Sequence, residues 1–314
     1  MFPQRGGLAE RICREEWNLG VIDQPVQDIA RRGIVGSVRW FPPQSPWYGL
    51  ADPGWYETLD GDVVLLAEQL NHLNGRGEIW FARLPIGADL TTAKFQRWAT
   101  ATTHLSYPFP FSADGELYMT MEACESRRLT IWRRHTGMWC PTVLMNRPAI
   151  DPTFWHDANG WWLFCTFADD GPDRNLHLFY ADSVLGPWTS HPGNPVTIGE
   201  ASARPAGPLF MCDGRLIRPS QDSTRTYGGA LVLNEVACLS RERFAERPIR
   251  RLEPFGDYPD GLHTLCPAGQ QTIIDSKRWA FRAIDPLRYI MTGTRNQRRR
   301  ARQNHPPVTI LNRT

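Results

Sequence analysis

Two recurring positions in this chain hold most of the residues able to do acid–base chemistry. Asp52, Tyr107, Asp151, Arg204 and His263 each open an apolar run, and Glu68, Glu122, Asp169, Gln221, Asp222 and Asp275 each close the run that follows. Carboxyls gathered in a partly desolvated pocket push one another's pKa values apart. One carboxyl then keeps its proton at neutral pH while another stays ionised, as the cleavage or transfer of a glycosidic bond requires. Trp47, Trp55, Tyr107 and Trp155 supply rings that suit a sugar face.

Taken singly, each residue also has a structural explanation. An Asp before Pro, as at Asp52 and Asp151, caps turns. Glu68 and Glu122 fit solvated strand ends, His263 a satisfied structural histidine, and Arg204 a brace for a neighbouring carboxylate. Coincidence of position across five units favours a shared site.

The elements that must position these residues form a repeat. ADPGWYETL leads through Asp60-Gly61 to DVVLLAE, YPFPFSA through Asp114-Gly115 to ELYMTME, and DPTFWHD through Asn159-Gly160 to WWLFCTF. ARPAGPLFM leads through Asp213-Gly214 to RLIRPSQ, and LHTLCPAG leads to QTIID. Asn-Gly and Asp-Gly between apolar runs are strong hairpin signals, because their central residues tolerate positive φ. EIWFARL, RLTIWRR, LHLFYAD and ALVLNEV supply third strands. The opening residues stand 55, 44, 53 and 59 positions apart, a spacing that suits four-stranded blades set radially.

The expectation is an all-β, single-domain, five-bladed β-propeller over residues 1–293, followed by a basic C-terminal tail at 294–314. A strand near 16–22, within EWNLGVI, would close the ring and remove an exposed sheet edge. In such a ring the start of each first strand and the end of each second strand lie on one face. The eleven polar residues would therefore meet around a single funnel.

Composition narrows the alternatives. With 35 basic and 33 acidic residues the formal charge is +2, so bulk electrostatics gives no reason to expect a nucleic-acid partner. The exception, Arg295, Arg298, Arg299, Arg300 and Arg302, reads as a solvated tail. Seven cysteines contain no C-x-x-C pair, which removes zinc spacing. No apolar leader or membrane-length run is present, so the sequence suggests a soluble cytoplasmic protein with no membrane span. Gly-rich phosphate loops and nucleophile elbows are absent.

At these residues the chain resembles the five-bladed glycoside hydrolase superfamily, especially family 43, through DPTFWHDANGWWLF and LHLFYADSVLGPWTSHPGNPV. A tighter resemblance is to the N-terminal propeller domain of glucosamine inositolphosphorylceramide transferase-like proteins. It rests on LADPGWYE, SYPFPF with LYMTMEA, SARPAGPLFMCDGRLIRPSQD with TYGGAL, and GLHT, covering roughly residues 15–290. The family 43 resemblance implies that Asp52 is the general base and that Asp151 tunes and orients the acid. That family's acid is a glutamate opening the fourth blade, where this chain has Ala203-Arg204-Pro205. Glu122, Asp222 or Glu200 would have to substitute. The transferase-like resemblance implies a glycosyltransferase partner, because the catalytic domain of those proteins is a separate unit.

The expected function is a glycosidase or transglycosidase acting on a glycoside or glycoconjugate. Asp52, Asp151, Glu122 and Asp222 are its catalytic candidates. Glu68, Tyr107, Arg204, Gln221, Tyr227 and His263 are its substrate-binding candidates. Arg204 suggests an anionic sugar, since a guanidinium grips acidic groups bidentately. The alternative is a non-catalytic glycan-binding module working with a glycosyltransferase. No cofactor is expected, although His263 and the axial carboxylates are candidates for holding a hydrated calcium ion.

Overall fold

The computed structural model describes residues 13–43, 45–281 and 308–311. Its strands form five sheets set around one axis. β1 (Arg14–Ile22), a short helix α1 (Val26–Arg32) and β2 (Val38–Trp40) precede the first blade. That blade comprises β3 (Tyr48–Glu57), β4 (Asp62–Asn71), β5 (Arg76–Pro85) and β6 (Gln96–Thr100). The second comprises β7 (Ser106–Ala113), β8 (Glu116–Glu122), β9 (Leu129–His135) and β10 (Met138–Met145). The third holds β11 (Ala149–Asp157), β12 (Gly160–Phe167), β13 (Asn175–Ala181) and β14 (Thr189–Ser190), with β15 (Thr197–Ile198) also pairing to β13. The fourth holds β16 (Phe210–Cys212), β17 (Arg215–Asp222), β18 (Ala230–Leu239) and β19 (Phe244–Leu252).

The last blade joins both ends of the ring. β20 (Gly261–Ala268) and β21 (Gln271–Ala280) come from late in the chain. Their outer neighbours are β1 and β2, with Trp17 opposite Lys277 and Leu19 opposite Asp275. Residues 1–12 and the basic run at 295–302 lie outside the described residues. Beyond that run β22 (Thr309–Ile310) pairs with β6 at the rim of the first blade. No helix among the described residues is long and apolar enough to cross a membrane.

Why the second strands read as continuous apolar runs is clear from the packing. Each blade is covered by a neighbour on both faces, so alternate residues enter two different cores. On β4, Val63, Leu65 and Ala67 pack toward the last blade, while Val64 and Leu66 pack toward the second. On β12, Trp161, Leu163, Cys165 and Phe167 pack toward the second blade, and Trp162 and Phe164 toward the fourth. Helix α1 adds Val26, Ile29 and Ala30 to the core between the fourth and last blades. Each fully buried Val or Leu in these layers contributes roughly 1.5–3 kcal/mol.

One inner strand differs from its sequence pattern. ARPAGPLFM reads as a full first strand, yet regular pairing begins only at Phe210, after an isolated bridge between Pro205 and Ser220. Two prolines remove ladder donors there. Two of the remaining backbone groups pair with other blades instead: Gly207 N–H donates to the Tyr107 hydroxyl of the second blade, and Ala206 O accepts Leu265 N–H of the last.

Candidate functional site

Three of the five opening residues share an unusual backbone. Asp52, Tyr107 and Asp151 have φ of 50°, 47° and 47°, although none is glycine. Each sits at a register shift of its inner strand: Ala51/Gly54, Ser106/Phe109 and Ile150/Thr153. A bulge of this kind re-aims one side chain, here toward the axis. Left-handed backbone at a non-glycine residue costs about 1–3 kcal/mol and persists only where the surroundings over-determine it. Here the surroundings are hydrogen bonds between blades.

Asp52 N–H donates to Asp275 Oδ2 at 2.7 Å, and Tyr107 N–H donates to Asp52 Oδ2 at 3.1 Å. Thr264 Oγ1 donates to Asp52 Oδ1 at 3.2 Å. Asp275 Oδ1 receives Thr264 N–H at 2.8 Å and lies 2.7 Å from His263 Nδ1. His263 Nε2 then faces Asp52 Oδ1 at 3.5 Å. Across the axis, Arg204 Nε donates to Asp151 Oδ2 at 2.6 Å, and its Nη1 to Asp173 Oδ1 at 3.2 Å. Gln221 gives one amide hydrogen to Asp151 Oδ2 and the other to Pro205 O, both at 3.0 Å.

Glu68 packs beside Asp52, and Glu122 beside Asp151. Burial pushes Asp52 up to about 6, opposed by His263 and reinforced by Asp275. Burial, then Asp151, pushes Glu122 up to about 8. Burial, with Asp52 next to it, holds Glu68 well above the usual carboxylate range. For His263, burial works against the charged form, but Asp275, Asp52 and Asp151 together outweigh it and raise the pKa. Burial and the neighbouring aspartates thus favour the neutral form of both Glu68 and Glu122.

Three buried oxygens here accept no hydrogen bond among the described residues: Glu68 Oε1, Glu122 Oε2 and Gln221 Oε1. Arg204 Nη2 stays 3.8 Å from Glu122 Oε2. Buried polar atoms are rarely left unmatched. Gln221 Oε1 calls for a guest donor and a protonated Glu68 or Glu122 for a guest oxygen as well, a combination that a hydroxyl-rich guest supplies.

The structure brings together Asp52, Glu68, Tyr107, Glu122, Asp151, Arg204, Gln221, Tyr227 and His263. Tyr107 does so through its backbone. Its hydroxyl accepts from Gly207 N–H and meets Thr153 Oγ1, each at 2.8 Å, so it braces the axis. Tyr227 sets its ring 5.0 Å from the Arg204 guanidinium and edge-on to His263. Asp222 stands apart, engaged by Arg251 and by Thr224 Oγ1 at 2.5 Å. Exposed Asp169 pairs with Arg127 at 2.7 Å, and Glu200 is only half-buried.

Several contributors are not marked by the repeat. Trp17 on β1 stacks on His263 with ring centroids 4.1 Å apart. Asp173 lies in the loop after β12. His104 accepts Gly77 N–H at Nδ1, which turns its Nε2 toward Glu68 Oε1 at 3.5 Å. Of the rings expected at the mouth, Trp155 packs against the core between the third and fourth blades. Trp55 lines an apolar cavity of 240 Å³ further along the axis, walled by Pro53, Pro108, Pro110, Pro208 and Pro267.

Asp52, His263 and Asp275 offer ligand atoms within 4.8 Å of one another. The set does not fit a directly bound calcium ion. Calcium takes six to eight oxygens, whereas both Asp275 oxygens already receive backbone N–H groups.

The family described as "Glucosamine inositolphosphorylceramide transferase 1, N-terminal" matches residues 46–253. Glucosamine inositolphosphorylceramide transferase 1 of Oryza sativa subsp. japonica is 34% identical over 213 residues, or 64% of this chain and 28% of the rice protein. The Arabidopsis thaliana protein of the same name is 32% identical over 291 residues, or 78% of this chain and 37% of that protein. The chain therefore spans well under half the length of either relative. Among solved structures, a family 43 β-xylosidase/α-arabinofuranosidase from a compost microbial metagenome superposes with a TM-score of 0.50. The match covers 77% of this chain and 93% of that one at 12% identity, a likeness of fold.

Proposed function

This chain belongs to the glucosamine inositolphosphorylceramide transferase 1 N-terminal family, and from that premise we propose that its propeller is a glycosidase or transglycosidase acting on a glycoside or glycoconjugate. The observation that carries the reading is geometric: buried Asp52 and Glu122 line one axis in different surroundings. Asp52 sits among the hydrogen-bond donors of Tyr107 and Thr264, and Glu122 has an unmatched oxygen beside the Arg204–Asp151 pair. These surroundings push Glu122 to about 8 and Asp52 only to about 6. At neutral pH Glu122 has a proton to give and Asp52 has a lone pair to receive one.

Glu122 protonates the departing glycosidic oxygen, and Asp52 takes the proton of the attacking water or acceptor hydroxyl. Asp151 raises the proton affinity of Glu122, and Arg204 fixes Asp151. Gln221, Glu68 and His263 meet sugar hydroxyls, and Tyr227 supplies a ring edge. Each member of such an acid–base pair contributes roughly 10²–10⁴-fold.

The pocket favours a neutral sugar over the anionic one that Arg204 suggests in isolation. Its guanidinium already faces Asp151, Asp173 and Glu122. An acidic substituent would have to compete with those carboxyls and enter a pocket rich in them.

One observation favours a second reading, a non-catalytic glycan-binding module serving a glycosyltransferase. Arg204, at the fourth-blade opening where the family 43 resemblance implies an acid, is instead locked onto Asp151. Turnover of a panel of aryl glycosides and natural oligosaccharides, with calorimetric binding, separates the two. Turnover abolished in Asp52→Asn with binding retained supports the enzyme, whereas binding without turnover in both proteins supports the module.

A further inference from the structure

Lys277 on β21 has no solvent exposure, and a buried ammonium group needs partners. Its Nζ lies 2.5 Å from Glu15 Oε1, 2.5 Å from the Tyr227 carbonyl oxygen and 3.2 Å from Thr226 Oγ1. The rings of Trp17, Trp279 and Tyr227 surround it, with centroids 5.2, 5.4 and 5.7 Å away. Three distant parts of the chain meet at this one amine: the closing strand β1, β21, and the loop joining β17 to β18.

Two glycines allow that loop to come so close. Gly228 has φ of +56°, and a Cβ there would fall 2.7 Å from His263 Cβ. A Cβ on Gly261 would fall 2.6 Å from both Gly228 O and Lys277 Cε. Leu262 N–H donates to Gly228 O at 2.9 Å. Wedged in this way, the loop presents the Tyr227 ring to Arg204 on one side and to His263 on the other. Trp17, from the same strand as Glu15, covers His263 from a further side.

We propose that Lys277 is a positioning residue for the axial pocket. By holding the Tyr227 carbonyl it fixes the Tyr227 ring as one wall. By pairing with Glu15 it makes that wall depend on docking of the N-terminal strand. The inference rests on the axial pocket being the functional site, but not on that site being catalytic.

The test reads the His263 ring by imidazole NMR, with a His263→Asn sample assigning its signals. Lys277→Met keeps most of the unbranched side chain and removes the charged terminal amine. It is expected to move the His263 resonances to the positions they take in Tyr227→Ala, and the double variant is expected to match Tyr227→Ala alone. Lower thermal stability with His263 unmoved would make Lys277 a brace of the fold only, and would overturn the proposal. Should Lys277→Met fail to fold, Glu15→Gln decides. A smaller displacement in the same direction supports the proposal, and an unchanged His263 overturns it. Turnover is not read, so a propeller without glycosidase activity would leave this result intact.

Discussion

Asp52 and Asp275, 223 positions apart, are joined by one short bond: the Asp52 backbone N–H donates to Asp275 Oδ2 at 2.7 Å. The bond links the first blade to the last at the point where the ring closes. It also holds Asp52 in its left-handed conformation, with φ of 50°. Asp275 is fully buried and receives Thr264 N–H as well. Asp275→Asn puts an amide NH₂ where an acceptor is required. The expected result is a loss of about 3 kcal/mol in urea unfolding, the order seen when one partner of a buried pair is removed. Asp52 should also lose its fixed orientation, read as weaker glycan binding.

Stability should fall as pH rises. Asp52 and Glu122 have folded pKa values of about 6 and about 8, above their ordinary values of 3.8 and 4.5. The folded state therefore binds more protons than the unfolded state between those limits. Stability from these groups is full below the unfolded values and is lost as pH climbs through the folded ones. His263, also raised, acts in the same direction. Each group contributes a slope of up to about 1.4 kcal/mol per pH unit. Urea titrations from mildly acid to mildly alkaline pH should show the decline, and Glu122→Gln should flatten its upper part.

Activity should follow a bell. Asp52 must be ionised and Glu122 protonated, so the rising limb falls near pH 6 and the falling limb near pH 8. These limbs belong to the interacting cluster as much as to single residues. The pH dependence of kcat/KM checks this. A profile that keeps rising past pH 9 would contradict Glu122 as the acid.

Arg204→Met should destabilise the protein by roughly 3–5 kcal/mol, because it strips the charge partner from buried Asp151. It should also move the alkaline limb upward, since Arg204 lowers the proton affinity of Glu122. Adding Asp151→Asn should restore part of the stability, because no uncompensated carboxylate then remains. The double-mutant cycle in urea measures that coupling directly.

The ring of five blades was legible in the sequence because hairpin turns and apolar runs are local signals. Asp60-Gly61, Asp114-Gly115, Asn159-Gly160 and Asp213-Gly214 mark four of the inner hairpins, and in the first three the opening residue points at the axis. The fourth blade departs from the pattern because Pro205 and Pro208 cannot feed a ladder. Asp222 follows Gln221 directly, so pleating turns it away from the axis and toward Arg251. Trp17, Asp173 and Lys277 lack a repeated position, and only the closed ring shows what they touch. His104 was equally hidden, since its orientation is set by a backbone N–H from another strand.

The most direct test of the central claim compares leaving groups in Glu122→Gln, using any glycoside that the wild-type protein turns over. A dinitrophenol departs without a proton, whereas an alkyl alcohol needs one. The expected result is near wild-type kcat/KM on the dinitrophenyl glycoside, beside a loss of roughly 10²–10⁴-fold on the alkyl glycoside. An equal loss on both substrates, or none on either, would contradict Glu122 as the proton donor and the acid–base account with it.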